Sequence, residues 1–284
     1  MKWSPLLAAL TLCLASPLPT VHAASPIAAE LRTNGFALGT QSYTFRKFTF
    51  EEACAKTASV GLKTTELFPG QVISTQLSGE KTTHAVSPEG LSAIKEILKK
   101  NNVQAVAYGV VGIPKEEEAA RKVFLFAKEL GIKVIVTEST DSIDTIEKLV
   151  KEFDIKVGFH NHPKRPNDPN YKVWDPNYIL ELTKNRDSRI GSTADVGHWT
   201  NSGLSAAECI GILKGRIVSS HLKDIQMGGT AVVRPGTGRA NLSDALKALQ
   251  SGGFDGPISI EHEANWDDNV ADVASYVEFV KGLK

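Results

Sequence analysis

The sequence predicts a fold of the α/β class, a single-domain (β/α)8 TIM barrel, and three observations indicate it. First, short β-like runs alternate with amphipathic helical runs eight times within about 250 residues, as such a barrel requires. Second, the segments after predicted strands 2, 5 and 7 are long and those before strands are short, which places the working face at the C-terminal ends of the strands. Third, four of the seven histidines lie where a predicted strand ends.

The alternative architecture is an open, doubly wound sheet. No GxGxxG sequence follows the first predicted strand, which removes the usual dinucleotide-binding interpretation of that fold. The sequence contains no low-complexity segment and no linker that would divide the chain. The pattern therefore favours one closed barrel.

The first residues are predicted to lie outside the fold. Lys2 precedes the apolar run LLAALTLCLA, and two prolines and the small-residue stretch VHAAS follow it. This order is typical of a secretory signal peptide, so we expect residues 1–23 to be removed and residues 24–284 to form the catalytic barrel. A single membrane anchor is the alternative, but the run is shorter than the roughly 20 residues that a span needs. We therefore expect a secreted or periplasmic protein that has no membrane contact after cleavage.

The composition limits the classes of partner. The 32 Lys and Arg residues balance the 32 Asp and Glu residues, so no broad basic surface for nucleic acid is expected. Cys54 and Cys209 remain after the predicted leader, and they fall on the predicted first and sixth helices, so a disulfide between them is not expected. The sequence leaves the formation of a homo-oligomer open.

The strands are assigned to the short apolar runs. In chain order they are FALGTQS (36–42), KTTEL (63–67), VQAVAYG (103–109), KVIVTE (133–138), KVGFHN (156–161), IGSTAD (190–195), IVSSHL (217–222) and PISIEH (257–262).

The helices are assigned to the amphipathic runs that follow each strand. They are predicted near 49–60, 87–101, 115–130, 142–153, 176–185, 205–214, 242–251 and 268–282. TFEE at 49–52 and SAAE at 205–208 have the pattern of capping boxes, while Ser87 and Asp175 each place a cap before a proline at the first helical position. In the third helix an apolar face recurs at helical spacing, formed by Ala119, Val123, Phe126, Ala127 and Leu130.

Four strand ends carry side chains that bind metal ions. Glu138, Asp195, His221 and Glu261 each end a different predicted strand, so they can meet above the barrel. A combination of carboxylate and imidazole suits a divalent ion such as Mn, Co, Zn or Mg. Each residue alone also has a structural explanation. Glu138 could be a solvated loop carboxylate and Asp195 a helix cap. His221 could be a hydrogen-bonded core histidine, and Glu261 could form a structural ion pair. Four such coincidences at four strand ends favour one divalent metal site.

Sequence segments from these strand ends resemble a known superfamily. The run GFHNHP, then DVGHW, then SHLKD with RPGTGRANL, then ISIEHE is similar to the xylose-isomerase-like barrels, and within them to the sugar phosphate isomerase/epimerase group and the inosose dehydratase relatives. The resemblance covers nearly all of the chain after the leader. It implies a metal-dependent enzyme that acts on a small carbohydrate.

The resemblance also implies roles for individual residues. Asp195 and His221 match metal ligands, and Glu261 matches a glutamate that both binds the metal and moves protons. His198 matches a histidine that holds a substrate oxygen, and Lys223 resembles a cation that positions the substrate. Glu66 matches a glutamate that faces the pocket; it is therefore included among the substrate-binding candidates.

One position departs from the pattern of the ketose epimerases in this superfamily. Those enzymes carry a glutamate at the end of strand five, and this chain has His160 and His162 there instead, as in the dehydratase-like branch. Either Glu138 or His160 then completes the metal shell. His160 becomes a candidate acid/base residue and His162 a candidate substrate contact.

The expected function is a metal-dependent sugar isomerase or epimerase that removes a proton next to a carbonyl. A hydratase or lyase acting on a keto-sugar or inosose is the close alternative, and a non-enzymatic sugar-binding protein is another. A metal endonuclease would need more histidine ligands and a basic surface. Trp174 and Trp199 are candidates for stacking on a sugar ring, with core or lid packing as the alternative. Arg234 is a candidate for binding an anionic group, with a solvated position in its loop as the alternative.

Overall fold

The computed structural model describes residues 27–283, and it confirms the predicted closed barrel of eight parallel strands with surrounding helices. The predicted signal peptide, residues 1–23, lies outside the described residues. Around the barrel the strands follow chain order, and the last closes against the first. The barrel strands are β1 (Ala37–Gln41), β2 (Thr64–Leu67), β3 (Gln104–Tyr108), β4 (Val134–Thr137), β5 (Lys156–His160), β6 (Ile190–Asp195), β7 (Ile217–Leu222) and β10 (Pro257–Ile260).

Each predicted helix is present within a few residues of its expected bounds. The helices are α1 (Phe50–Ser59), α2 (Pro88–Lys100), α3 (Glu117–Glu129), α4 (Ile143–Phe153), α5 (Pro176–Thr183), α6 (Val196–Asn201), α7 (Ala206–Ile212), α8 (Leu242–Ser251) and α9 (Val270–Lys281). The Thr49 side chain and the Glu52 side chain form the expected capping box at α1. Ser87 and Asp175 cap α2 and α5 by accepting from backbone N–H groups.

Two elements at the C-terminal face were not predicted. Helix α6 begins directly after β6, because the Asp195 side chain accepts from the backbone N–H of His198 and caps it. The loop after β7 contains a short antiparallel hairpin, formed by β8 (Asp224–Ile225) and β9 (Val232–Val233). Both elements lie beside the strand ends that carry the candidate metal ligands, so they shape the site.

The helices pack their apolar faces on the barrel and form one large buried core around it. Cys54 and Cys209 are buried in this core and are not disulfide-bonded. Within residues 27–283, no helix is long and apolar enough to cross a membrane.

Close packing in the barrel wall makes Gly191 of β6 a strong test of the fold. A Cβ atom there would lie 1.9 Å from the backbone oxygen of Arg216, which cannot move without disturbing β7. We expect Gly191→Ala to lower the free energy of unfolding by about 1–3 kcal/mol or more, as overpacking does. Urea denaturation measures this change.

Gly211 offers the matched control for that substitution. It lies in α7, and apart from the backbone of its own helix no atom lies within 4 Å of the Cβ position. Gly211→Ala should therefore stabilise the protein by about 0.5–1 kcal/mol. Equal stability of the two variants would contradict the described packing of β6 against β7.

Candidate active site

Four strand ends bring metal-binding side chains into one buried group. His160 ends β5, Asp195 ends β6, His221 lies one residue before the end of β7, and Glu261 directly follows β10. One ligand atom from each residue lies within 4.8 Å of the others, and all four residues are buried. We call these four residues the ligand group. Its members can hold one metal ion.

Hydrogen bonds fix the imidazole of His221 between two carboxylates. Its Nδ1 lies 2.9 Å from Oε2 of Glu261, and its Nε2 lies 3.0 Å from Oε2 of Glu66. Glu66 in turn accepts hydrogen bonds from Gln41 and Ser259. Burial opposes protonation of His221, but the two carboxylates outweigh it and raise its pKa well above the usual value. Glu66 therefore orients one of the ligands from behind.

Lys223 is completely buried beside the ligand group. Its ammonium lies 2.7 Å from Oε2 of Glu261, 3.2 Å from Oδ2 of Asp195 and 2.5 Å from Oε1 of Glu263. Burial would lower its pKa, but these carboxylates raise it well above the usual value, so Lys223 is a cation. Gly197 makes room for it, because a Cβ atom there would lie 2.2 Å from Cγ of Lys223.

Three polar atoms of the ligand group form no hydrogen bond among the described residues. Both ring nitrogens of His160 are buried without a hydrogen bond among the described residues, and so is Oδ2 of Asp195. Lys223 approaches that oxygen without forming a hydrogen bond of good geometry. Buried polar atoms without partners are costly. Their convergence fits a divalent cation that would use them as ligands.

The charges of the region lead to the same conclusion. Four carboxylates, those of Glu66, Asp195, Glu261 and Glu263, surround Lys223 and His221. If Lys223 and His221 are both protonated and the four carboxylates are ionised, the cluster still carries two excess negative charges. A divalent cation neutralises such an excess, and two imidazoles with two carboxylates suit Mn, Co, Zn or Fe(II).

A cavity of about 290 Å³ opens beside the ligand group. Its lining combines two carboxylates, two imidazoles, an amide and aromatic rings, and it consists of Gln41, Tyr43, Phe68, Gly109, Val110, His162, His198, Glu261 and Glu263. A concave site with a few convergent polar groups is the usual form of a small-molecule site. Glu261 belongs to both the ligand group and the lining, so a bound molecule would lie next to the metal.

The second imidazole in the lining, that of His198, is neutral. Burial lowers the pKa of His198 to about 3. Its Nε2 lies 3.3 Å from Nζ of Lys223, and since an ammonium only donates, Nε2 accepts this hydrogen bond. Lys223 thereby sets the tautomer of a residue that faces the cavity.

Glu138 lies outside the ligand group, and His160 takes the fourth place. Oε1 of Glu138 lies 2.5 Å from Nδ1 of His162 and accepts a hydrogen bond of 2.6 Å from the hydroxyl of Tyr171. Burial opposes ionisation of Glu138, but these two partners outweigh it and lower its pKa to about 2. Glu138 could also join His160 and His162 in a second group, yet its present contacts orient His162 at the cavity wall.

The contacts of Glu138 lead to a test of the metal site. We expect Glu138→Gln to retain bound metal, because the glutamate holds His162 and does not belong to the ligand group. His160→Ala should lose most of it, since Nε2 of His160 lies 3.4 Å from Oδ2 of Asp195 and neither ring nitrogen has a hydrogen bond among the described residues. Metal analysis of the purified variants by mass spectrometry checks this. Loss of metal from Glu138→Gln with retention in His160→Ala would reverse the assignment.

Four residues proposed from the sequence for substrate binding are absent from the cavity lining. Glu66 is completely buried against His221, so it is corrected from a substrate contact to a support of that ligand. The remaining three are Trp199, Trp174 and Arg234. Trp199 is 1% exposed and packs in the core, where its indole donates to the backbone oxygen of Trp174. Trp174 contacts Lys164 through its ring and is absent from the lining. Arg234 pairs with Asp272 of α9. Trp199 is therefore corrected to a core residue, and the other two lie elsewhere on this face.

Several lining residues were missed from the sequence. Gln41 ends the first strand and Tyr43 follows it, Phe68 follows the second, and Glu263 lies two residues after Glu261. Only their position could have indicated a role in the site, because each lies at or after the end of a strand at the C-terminal face. None has the side-chain chemistry that singles out a metal ligand, except Glu263.

Comparisons with known proteins agree with this geometry. The family described as xylose isomerase-like TIM barrel matches residues 54–281. An uncharacterised protein of Methanocaldococcus jannaschii is 27% identical over 154 residues, which span 53% of this chain and 50% of that protein. The chain thus matches half the length of that relative.

Two solved structures show the same fold. An uncharacterised protein from Parabacteroides distasonis is 25% identical with a TM-score of 0.70, over 88% of this chain and 100% of that one. D-allulose 3-epimerase from Methylomonas sp. is 13% identical with a TM-score of 0.66, over 87% and 97%. At that identity the second similarity concerns the fold.

Proposed function

Since the chain belongs to the xylose isomerase-like TIM barrel family, we propose that it is a divalent-metal-dependent sugar isomerase or epimerase. In this proposal it removes a proton next to a carbonyl of a free sugar or keto-sugar. The observation that carries the proposal is the position of Glu261, which belongs to the ligand group and also lines the cavity. The leader predicted at residues 1–23 would direct the enzyme out of the cytoplasm, and this supports a free sugar rather than a sugar phosphate as the substrate.

A metal bound by the ligand group would polarise the substrate carbonyl and a neighbouring hydroxyl. The residues of the chain then move the proton. Oε2 of Glu261 contacts both His221 and Lys223, whereas Oε1 carries no hydrogen bond among residues 27–283. Burial opposes ionisation of Glu261, but Lys223 and His221 hold its pKa below the usual range. The free oxygen of an ionised carboxylate at the cavity wall is the proposed base.

His162 is the proposed partner of Glu261 in the proton transfers. It lines the same cavity. Glu138 contacts its Nδ1, and the hydroxyl of Tyr171 accepts from its backbone N–H, so its Nε2 is left for the substrate. Lys223 and His198 lie beside Glu261 and can stabilise negative charge that develops on a substrate oxygen. An imidazole and a carboxylate therefore replace the pair of carboxylates expected of ketose epimerases.

This substitution favours a second candidate, a hydratase or lyase acting on a keto-sugar. Both reactions begin with removal of the same proton. Elimination also needs an acid near the leaving oxygen, and an imidazole suits that role better than an ionised glutamate. His162 is available at the cavity wall for it.

Exchange of sugar hydrogens with solvent tests the shared first step. The metal-loaded protein is incubated in D2O with aldoses, ketoses and 3-keto-sugars, and NMR follows incorporation of deuterium. We expect incorporation at the carbon next to the carbonyl of at least one sugar. Formation or consumption of an enone would then favour the lyase, and clean aldose–ketose interconversion the isomerase. Absence of exchange from every sugar would contradict the proposal.

A further inference from the structure

Four side chains form a partly exposed cluster at the mouth of the cavity, and the proposed proton transfers do not use them. Tyr43 packs edge to face against Phe68 and against Trp266, with ring centroids 5.1 and 5.7 Å apart. The guanidinium of Arg46 lies 4.0 Å from the centroid of Trp266, and it donates to the hydroxyl of Tyr43. We call Tyr43, Phe68, Trp266 and Arg46 the mouth cluster.

The loops that carry the mouth cluster are fixed to one another. Thr44 donates to the backbone oxygen of Ile260 and accepts from the backbone N–H of His262. Asn269 donates to the backbone oxygen of Thr44 at 2.7 Å. At the surface, Lys47 pairs with Asp267 at 2.8 Å. The loop after β1 therefore cannot move independently of the loop after β10, and Tyr43 and Trp266 are held in place before any ligand arrives.

The mouth cluster continues outward from the cavity. Tyr43 and Phe68 belong to the cavity lining, whereas Trp266 and Arg46 do not. Trp266 is partly exposed and Arg46 is exposed. A molecule bound beside Glu261 would therefore meet Tyr43 and Phe68 inside the cavity, and anything attached to its outer end would meet Trp266 and Arg46.

The chemistry of these outer residues suits a sugar ring. An aromatic side chain offers a flat apolar surface to the C–H groups of a pyranose. A guanidinium donates several hydrogen bonds in fixed directions. Arg46 forms no ion pair with a carboxylate among the described residues, and one of its nitrogens contacts Tyr43, so its other N–H groups can donate to ring hydroxyls.

We propose that the mouth cluster binds a second sugar ring, so that the natural substrate is a disaccharide or other glycoside whose reacting ring lies beside the ligand group. This inference rests on the proposed function for the identity of the reacting ring. The binding of the second ring itself depends only on the mouth cluster.

Isothermal titration calorimetry with the metal-loaded protein tests the proposal. The probes are cellobiose, maltose and sucrose, each compared with D-glucose and D-fructose. The variants are Trp266→Ala and, as matched control, Trp174→Ala, which removes another partly exposed tryptophan that lies outside the mouth cluster. Trp266→Phe keeps an aromatic ring and serves as the conservative variant.

We expect at least one disaccharide to bind wild-type protein more tightly than either monosaccharide. Trp266→Ala should weaken that disaccharide by about three- to tenfold, the amount expected for one aromatic contact, and leave monosaccharide binding unchanged. Trp266→Phe should recover part of the loss, and Trp174→Ala should resemble wild type.

Three results would overturn the proposal: no disaccharide outcompetes its monosaccharides, Trp266→Ala weakens both classes equally, or Trp174→Ala causes the same loss. The calorimetry and the deuterium exchange test the second-ring site and the proposed function independently of each other. Tight disaccharide binding that depends on Trp266, without deuterium exchange from any sugar, would support the second-ring site and contradict the isomerase. Exchange from monosaccharides without any preference for disaccharides would support the isomerase and contradict the second-ring site.

Discussion

Replacing His221 by Ala is expected to empty the metal site and to reduce deuterium exchange by about a thousandfold or more, since a metal ion contributes several kcal/mol to such reactions. The imidazole of His221 is completely buried and contacts both Glu66 and Glu261. Its removal takes one ligand away and leaves the carboxylates of Glu66 and Glu261 without the imidazole that lies between them. The remaining ligands would then hold a divalent ion only weakly.

Metal analysis and NMR exchange on the same sample measure the two effects, and circular dichroism verifies that the barrel is folded. His221→Gln, which keeps more of the volume, is a second variant in case the alanine variant is unstable. His84→Ala is the matched control, because His84 is a half-buried histidine in the loop after β2 and belongs to neither the ligand group nor the cavity lining. Wild-type metal content in both His221 variants would contradict the assignment of the ligand group.

Glu261→Gln is expected to slow exchange by about a hundred- to ten-thousandfold, the usual contribution of a positioned base. An amide oxygen can still approach a metal, but an amide cannot accept the substrate proton. We therefore expect part of the metal to remain while proton removal is lost. A reduced rate at saturating sugar, measured by NMR exchange, would separate this effect from weaker binding.

Glu263→Gln is the matched control for Glu261→Gln. Glu263 lines the same cavity and contacts the same lysine, at 2.5 Å, but it is outside the ligand group. We expect this substitution to change exchange by less than about tenfold, because Lys223 keeps its ion pairs with Glu261 and Asp195 and the proposed base is unchanged. Equal losses in the two variants would mean that Glu261 has no special role in proton removal.

The sequence predicted the barrel well because its strands and helices repeat a simple pattern. The eight strand runs and their capped helices were each recognisable from local residues, and the C-terminal face followed from the loop lengths. Helix α6 was missed because its six residues (Val196–Asn201) are too few to show a helical period, and its cap, Asp195, had already been interpreted as a ligand. The β8–β9 hairpin was missed because each strand has two residues.

The candidate site was only partly predictable, because a sequence shows which residues end a strand but not where their side chains point. Glu261 and His262 are neighbours, yet Glu261 joins the ligand group while His262 lies beside Asp272 of α9. Neighbouring residues at a strand end point to opposite sides. Trp199 was likewise a candidate for stacking on a sugar ring, and helix α6 places it in the core.

Glu138 and His160 were both predicted as the possible fourth metal ligand, and the sequence alone does not distinguish them. Both follow or end a strand, and both have ligand atoms. Their partners in the structure favour His160, since Glu138 contacts His162 and Tyr171, while the ring of His160 has no hydrogen bond among the described residues. The sequence gives no sign that Tyr171, in the long loop after β5, folds back onto the end of β4.

Deuterium exchange measured on one preparation in three states tests whether a metal held by the ligand group activates the sugar. The protein is assayed as purified with its metal, after removal of the metal by a chelator, and after the ion is restored. If the ligand group holds the metal that activates the sugar for Glu261, exchange is present in the first state, lost in the second and recovered in the third. Exchange that persists after complete removal of the metal would contradict this account.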